Sequence, residues 1–186
     1  FQARKIFKRR FGKAYVNFGA PIDLGKFIEA TYPNWRNDPQ QTHQKNNWVH
    51  KATDHLAQNI MIEINRSAII SPVALVSTAL LATPRRALTE SDLKNFLSVC
   101  SRLFADIKVT DAAGYPSQDP QELIDFAEQV SKIQRFKYPG NDILHVTEID
   151  GGLMSYYKNN ISHIFAIPAL IANYFVYYRS NRCAIT

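Results

Sequence analysis

Three groups of residues in this chain have types and spacings that could do chemistry. His145-Val146-Thr147-Glu148-Ile149-Asp150 sets a histidine and a carboxylate five residues apart, a pair that could form a hydrogen bond only across a turn. His50 and Asp54 stand four apart, a helical separation open to an ion pair or a hydrogen bond. Tyr156, Tyr157, Lys158, Asn159, Asn160 and His163 form a compact polar cluster at the head of a long apolar run, Leu153 to Tyr178. Two cysteines, Cys100 and Cys183, lie far apart without CxxC spacing. They support neither a zinc site nor a disulfide framework and suit a reducing compartment. The chain carries no Gly-rich phosphate loop, nucleophile elbow, HExxH or fixed-period repeat. No cofactor and no metal is expected.

The elements that hold these residues decide between the readings. Ile143 to Ile149 is predicted as a strand closed by Asp150-Gly151-Gly152, and residues five apart on a strand point to opposite faces. A catalytic His145–Asp150 pair is therefore not expected. Without a nucleophile or ligand set beside them, His50 and Asp54 read as a surface pair. Cys100 falls on an apolar helical stripe and reads as a small core residue.

Charge is distributed unevenly. Arg4, Lys5, Lys8, Arg9, Arg10 and Lys13 precede the first acid, Asp23, and account for the whole formal excess of +6. With Phe1, Ile6, Phe7 and Phe11 interleaved, this arm has the make-up of a contact for anionic lipid headgroups or another anion. The alternative is a solvated basic linker. No nucleic-acid motif accompanies the charge, and no nucleic-acid partner is expected.

The 186-residue chain is rich enough in apolar residues, 46%, to build one or two compact units. No signal peptide opens it, and a first residue of Phe1 leads us to expect a piece of a longer polypeptide. Tyr15 to Ile22 alternates and then meets Gly and Pro, predicting a short strand into a turn. Asp23 predicts the cap of a short helix. Residues 32–47, with two prolines and many amides, read as a loop and candidate boundary. Val49, Ala52, Leu56, Ile60 and Ile64 then mark one face of a helix ending near Ser67. Ser71 and Pro72 open a second helix, apolar nearly all round, which Thr83-Pro84 stops.

Thr89 and Asp92 make a capping box flanked by a Leu88–Leu93 staple. The helix that follows is striped by Leu93, Phe96, Leu97, Cys100, Leu103, Phe104 and Ile107. Asp119, Pro120 and Glu122 open another, carrying Leu123, Ala127, Val130 and Ile133. Tyr138-Pro139-Gly140-Asn141 is a turn. The fold class is α+β, predominantly α-helical, a helical C-terminal region with a few short strands.

Three segments in matching order carry a family likeness: Tyr15 to Ile22, Thr78 to Ala82 with Arg85 to Thr89, and Met154 to His163. Together they resemble the C-terminal part of bacterial glycerol-3-phosphate acyltransferase over nearly the whole chain. The family's usual acid after Phe-Gly is Ala20 here. The resemblance implies fatty acyl transfer from acyl-CoA or acyl carrier protein to the 1-hydroxyl of glycerol 3-phosphate, giving lysophosphatidate at the cytoplasmic face of the bacterial inner membrane. It implies that residues 1–31 hold the basic arm and the last strand of an α/β acyltransferase domain, that 32–47 link, and that 48–186 form a helical C-terminal domain. It also places the catalytic HxxxxD before Phe1, so that this chain alone is inactive and no catalytic residue is assigned within it.

Two readings from other classes stand beside this one: a non-catalytic membrane-docking or interaction domain, and a stand-alone hydrolase or transferase using His145 and Asp150. From Ile161 to Tyr178 the apolar run has no Asp, Glu, Lys or Arg, but Ser162, His163, Pro168 and Asn173 interrupt it. A buried helix closing the C-terminal domain is expected rather than a transmembrane span, with part of its aromatic end open to contact with lipid. Tyr157, Lys158, Asn159, Asn160 and His163 would close that domain, by bonding back onto the acyltransferase domain or by satisfying local backbone groups.

Overall fold

A computed structural model of the chain describes residues 16–33, 35–36, 47–106 and 119–183. It divides into two compact units, Asn17–Ser67 and a larger one that includes Ala68–Thr186. Six helices and one small sheet occur among the described residues, a predominantly helical α+β fold.

In the smaller unit, helix α1 (Leu24–Thr31) begins where predicted. The Asp23 carboxylate accepts from the Lys26 amide at 3.1 Å, satisfying one of the orphan donors of the first turn. Helix α2 (Asn47–Arg66) also forms, but its stripe is only shallowly covered. Ala52 is buried, while Val49, Ile60 and Ile64 remain exposed. Of the strand predicted over Tyr15 to Ile22, the described residues 16–22 do not form one, and Tyr15 lies outside the described residues. Residues 16–23 have no regular structure and no partner strand, and a lone strand cannot satisfy its own backbone. Asn17 instead donates its side-chain amide to the Ser67 carbonyl at 3.3 Å, and Gly19 passes close to α2. A Cβ on Gly19 would stand 3.2 Å from the Ser67 hydroxyl.

The larger unit is built around α3 (Pro72–Leu81). With no charged residue and apolar side chains on every face, this helix is buried nearly all round. Ser71 caps it, accepting from the Ala74 amide at 3.2 Å. Helices α4 (Glu90–Asp106), α5 (Pro120–Val130) and α6 (Glu148–Cys183) pack on it, together with strand β1 (Ala87–Thr89). The sheet is antiparallel in the order β1-β3-β2, with β2 (Gln134–Phe136) and β3 (Ile143–His145). Its register sets Leu88 opposite Leu144, which is fully buried.

The predicted start signals of α4 and α5 hold. Thr89 Oγ1 accepts from the Asp92 amide at 3.2 Å and donates to the Asp92 carboxylate at 2.6 Å. Asp119 accepts from the Gln121 amide at 2.9 Å. Leu93, Leu97, Cys100 and Phe104 are buried along α4, whereas Ile107 and the basic arm lie outside the described residues. Between β2 and β3 the predicted turn closes with the Asn141 amide on the Tyr138 carbonyl at 3.1 Å, and Gly140 adopts φ 91°, which its missing Cβ makes inexpensive.

Candidate functional site

Helix α6 carries the polar cluster, and its start corrects the predicted strand. β3 ends at His145, and Thr147 then caps a helix of 36 residues. Thr147 Oγ1 accepts from the Asp150 amide at 3.2 Å and donates to the Asp150 carboxylate at 2.7 Å. This is the same reciprocal box as Thr89–Asp92, and it outcompetes the Gly-Gly turn signal. Gly151 and Gly152 therefore lie inside the helix. Gly151 is buried where α6 approaches Leu81 and Arg86, and a Cβ there would meet the Arg86 side chain at 3.6 Å.

The turn between β3 and α6 also removes the argument from strand faces against a His145–Asp150 pair. The local bonding gives a different answer. Asp150 is engaged with Thr147 across the cap. His145 packs its ring beside Phe136 at 6.1 Å, and its Nδ1 is buried without a hydrogen-bond partner. No carboxylate orients the imidazole through that atom, as a general base of this type requires. His50 and Asp54 are exposed on α2.

Along α6, Met154, Tyr157, Ile161 and Ile164 recur at helical spacing and face α3, with Met154 and Ile161 fully buried and Tyr157 partly so. The Ser77 hydroxyl, the one buried polar group of the described core, donates to the Val73 carbonyl at 2.6 Å and touches Met154 Sδ at 3.5 Å. Phe165 stacks beside Phe96 and meets Phe104 edge-on, with ring centres 6.4 and 5.5 Å away. Lys158 is half-buried. Asn159, Asn160 and His163 are exposed on the outward side, so the cluster predicted from sequence splits between a packed face and an open one.

Past Phe165 packing stops. Ile167 is 70% exposed, Leu170 69% and Phe175 67%, and every described residue from Ala169 to Tyr178 is exposed. The expectation of a buried helix therefore fails for its second half. Among the described residues, α6 is the single helix long and apolar enough to cross a membrane. The sequence carries no Asp or Glu partner in this stretch and its large side chains find no facing element among the described residues, so the hydrophobic run extends beyond the core that seats its first half.

A second arrangement was not legible in the sequence. Arg135 on β2 donates to Glu128 of α5 through two nitrogens, at 3.0 and 2.7 Å, to Asp142 at 3.0 Å, and to Glu90 at the start of α4. Glu90 also pairs with Lys94 at 2.8 Å. Hydrogen bonds from Lys94 and Arg135 hold the Glu90 carboxyl below the usual range, and the carboxylates, Glu128 foremost, raise the Arg135 guanidinium. The fork geometry joins α4, α5 and the sheet. Its components close on one another, which gives it a structural role. The Cys100 thiol is likewise inert, pushed up to about 12 by burial. Among the described residues no cluster of His, Cys, Asp or Glu could hold a metal ion.

The fold and the site thus define a helix-rich module whose described residues assemble no nucleophile, oriented base or metal centre. Comparison places it: residues 1–184 match the model of the glycerol-3-phosphate acyltransferase C-terminal region, and the chain belongs to that family. It is similar to proteins named glycerol-3-phosphate acyltransferase from Pseudomonas paraeruginosa, at 35% identity over 94% of this chain, and from Pseudomonas putida strain W619, also at 35% over 94%. A protein of the same name from Xanthomonas campestris pv. campestris is 33% identical over 90%. The chain spans about a fifth of the length of these relatives, 21% for the Pseudomonas proteins and 19% for that of Xanthomonas.

Proposed function

We propose that this chain is the C-terminal part of a glycerol-3-phosphate 1-O-acyltransferase, and that it supports catalysis carried by the rest of the polypeptide. The observation behind this is the match to the family's C-terminal region over residues 1–184. In this reading a fatty acyl group passes from acyl-CoA or acyl carrier protein to the 1-hydroxyl of glycerol 3-phosphate, giving lysophosphatidate for phospholipid synthesis. An HxxxxD upstream supplies the base: its histidine, oriented by the aspartate, takes the proton of the substrate hydroxyl as the oxygen attacks the thioester carbonyl, the C–S bond breaks, and the proton passes to the departing thiolate of the donor.

Residues 1–31 would complete the acyltransferase domain, 32–47 would link, and 48–186 would form the helical domain. Exposed Val16 and Phe18, the latter at 88%, fit a segment that becomes a strand when a sheet edge is offered to it. Tyr157, Lys158, Asn159, Asn160 and His163 are proposed to hold the two domains together from α6. Arg4, Lys5, Lys8, Arg9, Arg10 and Lys13 are proposed to meet the anionic cytoplasmic face of the inner membrane.

The test is acyl transfer by purified proteins with labelled glycerol 3-phosphate. The longer polypeptide is expected to turn over and the 186-residue chain is not. Turnover by the chain alone would overturn the reading, and full activity of its His145→Ala variant would then remove the His145–Asp150 alternative as well.

A further inference from the structure

Resting on the membrane-associated reading above, we propose that the distal half of α6, Ala166 to Tyr178, embeds in one leaflet of a lipid bilayer and does not cross it. The base of this segment is pinned, since Ile161 and Ile164 are 0% and 9% exposed against the core. The helix continues through Arg179 and Arg182 to Cys183, but its free apolar part is thirteen residues, about 20 Å at 1.5 Å each, against a hydrocarbon thickness of about 30 Å. It falls short of a span while its base stays packed.

Lipid is the occupant its surface fits. A helix docked by one face onto another protein, or onto a second copy, keeps a polar back toward water. Here no face carries Asp, Glu, Lys or Arg, and every side chain but that of the half-buried Pro168 is exposed among the described residues. The exposed side is polar at its base, with Asn160 and His163, and becomes apolar at Ile167, Leu170 and Ile171. It ends in Tyr174, Tyr177 and Tyr178, followed in sequence by Arg179 and Arg182. Amide, imidazole, phenol and guanidinium groups all favour the headgroup layer. With such groups at both ends of so short a segment, both ends seek one interface, and the helix lies inclined within a leaflet. End-on entry would carry two arginine positions into hydrocarbon, at about 2.5–3.5 kcal/mol each near the centre.

The experiment uses the whole 186-residue chain on phosphatidylglycerol vesicles. In an Ile171→Cys/Cys183→Ser variant, an environment-sensitive fluorophore at position 171 is expected to brighten and shift to the blue. Lipids labelled along the acyl chain should quench it, and aqueous iodide should not. In the wild type, Cys183 is expected to react with a membrane-impermeant maleimide added outside the vesicles. Leu170→Asp, at an exposed position that leaves the helix content of the fold unchanged, is expected to weaken vesicle binding at least about tenfold.

Cys183 reacting only with reagent trapped inside the vesicles would show a span and overturn the proposal. So would an unchanged signal at position 171 on lipid, or a signal that rises with protein concentration in the absence of lipid. These outcomes leave the acyl-transfer test untouched, so failure here is distinct from failure of the family reading.

Discussion

The two halves of α6 belong to one continuous helix, yet the more polar half is the one the core covers and the more apolar half is the one left open. From Met154 to Ile164 each apolar side chain on the inward face meets α3, and the outward face carries Asn159, Asn160 and His163. From Ala166 to Tyr178 every residue but the half-buried Pro168 is exposed among the described residues. Burial is set by what stands opposite a side chain, and hydropathy alone does not report it. In the first half, contact with the core supplies the helix's stability. In the second, an isolated stretch of about four turns is marginal in water, and a non-aqueous surface has to supply what the core does not.

That contrast can be broken by substitution. Ile161→Ala, which opens a cavity against α3, is expected to lower unfolding free energy by about 2–5 kcal/mol in urea titration, whereas Leu170→Ala should change it by less than about 0.5 kcal/mol. Equal losses at the two positions would mean that the distal half is packed in solution. Arg135→Met removes the fork shared by Glu90, Glu128 and Asp142 and is expected to cost about 1–3 kcal/mol, since the carboxylates are left part-buried without their donor. Thr147→Ala, which removes the cap where α6 begins, should cost about 1 kcal/mol without altering vesicle binding by the distal half.

The Arg135 cluster also gives the core a pH dependence in the acid range. Glu90 has a lowered folded-state value, so the unfolded chain binds the proton more readily. Its contribution is complete above the ordinary value of 4.5 and is lost as pH falls through the lowered folded value. The stability difference between wild type and Glu90→Gln is therefore expected to shrink on acidification from pH 6 to pH 3, as followed by chemical denaturation at each pH. A difference that grows in that direction would contradict the assignment. Cys100 should resist alkylation at pH 8 until the protein is unfolded.

Much of the helical framework was legible in the sequence because its signals are local. Asp23, Ser71, Thr89 and Asp119 each cap a helix within three residues, and the apolar faces of α3 and α4 follow from spacing. The Thr147–Asp150 box was equally readable but was masked by the neighbouring Gly-Gly signal. Pairing was not legible. Tyr15 to Ile22 has a strand's pattern but finds no partner among the described residues, and the Arg135–Glu90 bond joins positions 45 apart. The same limit applies to α6, where sequence marked an apolar run and only the position of α3 divides it at Ile164.

Hydrogen exchange along α6, with and without phosphatidylglycerol vesicles, tests this division most directly. Amides from Met154 to Ile164 are expected to be protected in both conditions. Those from Ile167 to Tyr178 are expected to exchange quickly in water and to gain protection only on lipid. Uniform protection of the whole helix in water, or a distal half that lipid leaves unchanged, would contradict the account.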